Sequence, residues 1–163
     1  MTFTTRPALA LLCASALGVL SACAEPAEAP ATPEQDAAAA ALTVSNARVV
    51  LAPVAGNPAA VYFDLSYTGG ASVTLQSVEV EGTGMTMIHD YAEEAGKMQM
   101  KMAGPITLAN GAPVTFAPGG LHVMAMEPSD TLEAGGTANL TLTLSDGTKT
   151  NVTAPVRAAG EER

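Results

Sequence analysis

From residue 42 onward the apolar residues come in short runs that step by two. Glycine, proline and the pairs Asn110-Gly111 and Asp146-Gly147 cut these runs again and again. Side chains two apart share one face of a strand, whereas a helix needs apolar residues three and four apart over a longer stretch. Residues 60–67 are the clearest case, with Val61, Phe63, Leu65 and Tyr67 on one face and Tyr62, Asp64 and Ser66 on the other. Residues 44–51 read as a strand near a sheet edge. Val73 and Leu75, followed by Val78 and Val80, read as a strand whose register shifts near Gln76 and Ser77. Strands follow at 85–91, 97–102, 121–126 and 140–144, and Asp146-Gly147 predicts a two-residue hairpin into 148–156. About eight or nine such strands, with no helical stretch, predict an antiparallel β-sandwich or barrel.

Within this pattern three trios repeat: Met85, Met87 and His89; Met98, Met100 and Met102; His122, Met124 and Met126. Each trio puts its side chains on one strand face. Both histidines of the chain fall in this stretch, as do all its methionines except Met1. A methionine on a strand is ordinarily packing, because its flexible thioether fills irregular gaps. Two imidazoles sharing faces with those thioethers need another reason, since a purely apolar layer has no use for them. Zinc and iron draw on thiolate, imidazole and carboxylate, and calcium and magnesium on oxygen; thioether beside imidazole favours copper, above all Cu(I).

The rest of the composition removes competitors. A net charge of −9 argues against nucleic acid, whose phosphates need a basic surface. The only cysteines are Cys13 and Cys23, so the domain behind them has no thiol for a disulfide, a zinc–thiolate site or a blue-copper centre. No phosphate loop, nucleophile elbow or metalloprotease motif occurs, and no enzymatic activity is expected.

Residues 1–22 read as a bacterial export signal, with Arg6 before a short apolar run. The run ends in Leu20-Ser21-Ala22-Cys23, which resembles the lipobox of bacterial lipoproteins. That resemblance implies cleavage before Cys23 and acylation of its thiol, and several acyl chains on one residue give a stable membrane anchor. Residues 23–41, rich in Ala, Pro and Glu, carry no large apolar side chain and read as a tether. The folded domain is then expected at 42–157, with a disordered tail at 158–163.

The trios carry a more specific pattern. His89, ten residues, Met100, twenty-one residues, His122, one residue and Met124 reproduce the His-x10-Met-x21-His-x-Met signature of the periplasmic copper chaperones called PCu(A)C. The run Pro118-Gly119-Gly120-Leu121-His122-Val123-Met124 resembles that family's Pro-Gly-Gly-x-His-x-Met segment. The resemblance implies a cupredoxin-like β-sandwich that holds one Cu(I) through His89, Met100, His122 and Met124. It also implies delivery of that ion to the CuA centre of cytochrome c oxidase, often alongside a thiol protein of the Sco type. Members often carry arginines beside the first ligand methionine, where this chain has Gln99 and Lys101. Some end in a His- and Met-rich tail for Cu(II), which residues 158–163 lack. Met85, Met87, Met98 and Met126 are expected to rim the site, with Met98 the best substitute ligand. Two other readings fit the same residues: a periplasmic copper buffer or resistance protein with no part in oxidase assembly, and a metal-free β-sandwich interaction module.

Overall fold

The computed structural model describes residues 41–161. The export signal, Cys23 and the tether up to residue 40 lie outside the described residues, as do residues 162 and 163. Ten strands make up the fold, and no helix occurs among the described residues. They are β1 (Ala41–Val50), β2 (Ala59–Thr68), β3 (Val73–Val80), β4 (Met85–Glu94), β5 (Lys97–Met102), β6 (Ile106–Leu108), β7 (Val114–Phe116), β8 (His122–Met126), β9 (Thr137–Leu144) and β10 (Lys149–Arg157).

The hydrogen-bonded order is β5-β4-β8-β2-β1-β10-β9-β3-β6, with β7 on the second half of β2. Every neighbouring pair is antiparallel except β1 and β10, which run parallel at Val49↔Val156 and Val50↔Arg157. This short seam joins the two halves of a sandwich. β5, β4, β8, β2 and β1 form one half, and β10, β9, β3 and β6 the other. The expected all-β sandwich is present, and the parallel seam makes its sheet mixed rather than purely antiparallel. The seam also puts β1 in mid-sheet rather than at an edge; the polar residues that suggest an edge surround a register shift between Ser45 and Arg48.

One apolar core fills the space between the halves. Val61, Phe63, Leu65 and Tyr67 enter it from β2, as their alternation predicts, and meet Leu75, Val78, Leu140, Leu142 and Leu144 from the opposite half. Phe63 lies directly across from Phe116, and their rings stack with centroids 4.3 Å apart. The expected register shift in β3 lies between Leu75 and Ser77. The turn at Asn110-Gly111 carries the chain from one half to the other, and the last hairpin differs from the sequence reading. β6 and β7 flank Asn110-Gly111 yet pair with β3 and β2, on opposite halves. The hairpin between β9 and β10 closes through Ser145, Asp146 and Gly147, because Leu144 donates to the carbonyl of Thr148 and Gly147 takes a positive φ of 85°. A left-handed glycine in third place defines the three-residue hairpin.

Candidate metal centre

β8 sits between β4 and β2, and β4 between β8 and the edge strand β5. Ile88, Val123 and Ala125 point from this corner into the core. Their neighbours therefore face the other way, so the three trios lie on the outer face of the sheet. The sequence reading that treats methionine here as inward packing does not describe them. Met85 is 60% exposed, Met98 61%, Met100 46% and Met102 70%.

The register arranges the outer face in rungs across three strands. Met85 lies opposite Met126, Met87 opposite Met124, and His89 opposite His122. On the other flank of β4, Met102 lies opposite His89, Met100 opposite Tyr91, and Met98 opposite Glu93. Directly opposed side chains stand about 5 Å apart at Cβ and diagonal ones about 7–8 Å, within reach of a long side chain. Met124 and Met100 are thus both diagonal neighbours of His89, and all four residues of the signature fall on one patch. Met102, which the spacing pattern leaves out, is nearer to His89 in register than Met100 is.

The two imidazoles are 5.8 Å apart between centroids and nearly perpendicular, at 76°. His122 is the only polar residue buried among the described residues, at 6% exposed. Its Nδ1 lies 2.8 Å from the carbonyl of Gly120. A carbonyl only accepts, so Nδ1 carries the proton and Nε2 keeps a free lone pair, the arrangement of a metal-binding histidine. The Pro-Gly-Gly segment supplies that carbonyl. Gly119 takes a φ of 83°, and Gly120 donates to the carbonyl of Ala117, which turns the chain tightly before His122 opens β8. Tyr91, to which the spacing assigns no part, stacks on the His122 ring at 5.5 Å and 27°. Its signal was the same two-residue step that links Met87 to His89.

His89 is held differently. Its Nδ1 is buried and has no hydrogen-bond partner in the protein. Its pKa is pushed below the ordinary histidine value, first by burial and then by the charge of His122 nearby. When the ring carries its proton on Nε2, this Nδ1 keeps a lone pair that no group of the protein meets, and a soft cation satisfies it at a face ringed by thioethers. No group of three or more His, Cys, Asp or Glu side chains able to hold a metal occurs among the described residues, so a zinc- or calcium-type cluster is not on offer there.

Solved structures share this architecture. The Cu(I)-bound solution structure of DR1885 from Deinococcus radiodurans superposes with a TM-score of 0.58 at 29% identity, covering 74% of this chain and 80% of that one. The copper-bound PCuAC domain of PmoF2 superposes with a TM-score of 0.59 at 20% identity, covering 72% and 92%, a likeness of fold. The fold and these neighbours define a PCuAC-type domain with the cupredoxin-like β architecture. The sequence places it further: residues 42–156 match the family described as "Putative lipoprotein LpqE-like", and the chain belongs to that family. It is also 31% identical over 159 residues to "Putative lipoprotein Lxx21020" of Leifsonia xyli subsp. xyli, across 96% of this chain and 93% of that one.

Proposed function

We propose that this protein is a carrier of Cu(I), not a catalyst, and that it takes one ion tightly between His89, Met100, His122 and Met124. The observation that carries the reading is the His89–His122 rung. One imidazole is fixed in the tautomer that frees Nε2, the other has a buried nitrogen with no partner, and thioethers stand diagonally on either side. Uncharged imidazole and thioether donors hold Cu(I) without a thiol that oxidation could consume. They bind it less strongly than thiolates do, so an acceptor rich in cysteine can draw the ion off. The outward-facing patch lets such an acceptor reach the copper directly.

Acylation at Cys23 would hold the protein on the periplasmic side of a bacterial membrane, in keeping with a lipoprotein family. The acceptor we favour is the CuA subunit of cytochrome c oxidase, or a Sco-type thiol protein acting before it. A deletion strain separates delivery from buffering. Lost oxidase activity that added copper restores supports delivery, whereas copper sensitivity with normal oxidase makes the protein a buffer.

The binding itself is tested by anaerobic titration against a Cu(I) chelator. His122→Ala and Met124→Ala should each weaken the tight equivalent about ten-fold or more, since even groups that only orient a ligand matter by ten- to a hundred-fold. Wild-type affinity in both variants would remove the site from this face.

A further inference from the structure

Five of the seven trio methionines lie outside the proposed ligand set, and three of them gather at one end. Met85 and Met126 are directly opposed across β4 and β8, and Met87 stands diagonally from Met126 on the same face. Packing does not account for this group. Met85 is 60% exposed, and Met87 and Met126 are half-buried on the side of the sheet that faces away from the core. Opposed and diagonal neighbours at this spacing let three thioether sulfurs meet on one ion.

A second feature marks the same end. Met85 lines the lip of an open cleft that Glu79 of β3 and Glu81 just past its end also line, together with Asn139 and Thr141 of β9. Glu81 accepts a hydrogen bond from the amide of Asn139 at 2.7 Å, which holds its carboxylate in the cleft wall. Carboxylates beside a cleft raise the local concentration of cations. They are poor ligands for a soft monovalent ion, so they draw it in without trapping it, and the nearest soft donors are the thioethers of the Met85–Met126 rung.

We infer that Met85, Met87 and Met126 form a second, weaker, all-thioether site for Cu(I), a station through which the ion passes between the acidic cleft and the His89–His122 rung. The inference rests on the carrier reading above, because the station adjoins that site through the Met87–Met124 rung. Adjacent rungs lie about 7 Å apart along a strand, so the Met85–Met126 rung is about 14 Å from the His89–His122 rung and two cations held at once repel only weakly. Three neutral sulfurs, however, lack the stronger imidazole donors of the first site. The station therefore fills last and empties first.

The test uses the full chain, titrated anaerobically with Cu(I) against chelators of graded strength and repeated with Ag(I), which does not change oxidation state. Wild type should take two equivalents, the second about ten-fold weaker or more, and X-ray absorption should add only sulfur neighbours with that second ion. Met85→Leu with Met126→Leu keeps the bulk of both side chains, and should keep the first equivalent and lose the second. Met85→Leu alone, at an exposed position that cannot threaten folding, should weaken the second equivalent several-fold. A single equivalent in wild type that disappears in His122→Ala overturns the station and leaves the carrier reading standing. A second equivalent undiminished in the double leucine variant also overturns the station. No copper bound at all would sink both.

Discussion

His89 is an imidazole that the fold keeps uncharged. Burial and the neighbouring His122 both lower its pKa, so the folded protein resists a proton that the unfolded chain accepts at the ordinary histidine value. Folding stability linked to His89 is thus complete above that value and is lost as pH falls from it toward the lowered folded pKa. The denaturant midpoint of the copper-free protein should fall across that window, and His89→Gln should flatten the slope. Protons also compete with copper for the ring, so Cu(I) affinity should hold to lower pH than it would for a free imidazole. Met100 and Met102 pose a second question at this scale. Spacing singles out Met100, yet register sets Met102 directly opposite His89. Met102 can therefore stand in when Met100 is lost. Met100→Leu should cost less Cu(I) affinity than His122→Ala, and Met100→Leu with Met102→Leu should cost about as much, both read by chelator competition.

At the scale of strands and turns, alternation was a sound guide wherever one face is buried and the other is not. The inward set of β2 and the shift in β3 were both legible because burial enforces the period of two. The two histidines and the flanking methionines were legible as a shared face for the same reason. What alternation could not say is which face. A row of methionines satisfies a core or a surface equally well on paper, and only the pairing of β8 between β4 and β2 decides it. Partners across the sandwich were equally out of reach: β6 and β7 hold three residues each, too few to carry a pairing preference. The β4–β5 connection offers a test. Ala95 and Gly96 both take positive φ, 51° and 76°, as the type I′ turn requires, and alanine is strained there. Ala95→Asn should stabilise the domain by about 0.5–1 kcal/mol in chemical denaturation, since asparagine tolerates the left-handed conformation far better.

For the molecule as a whole, a ligand that binds only the folded chain adds to its stability by mass action. Copper at about a hundred times its dissociation constant should contribute about 2.7 kcal/mol and raise the midpoint of thermal unfolding by several degrees. His122→Ala should erase most of that rise, and a rise that persists would place the ion elsewhere. The strand pairings also set a polarity. Ala41 pairs with Thr68 at one end of β2, and Ala59 pairs with Ala125 at the other, beside Met126. The ten residues from Ala59 to Thr68 span roughly 30 Å of extended strand. Ala41, the first described residue, thus lies at one pole of the domain, and the Met85–Met126 rung occupies the other. An acceptor can therefore approach the outermost sulfurs without meeting the start of β1.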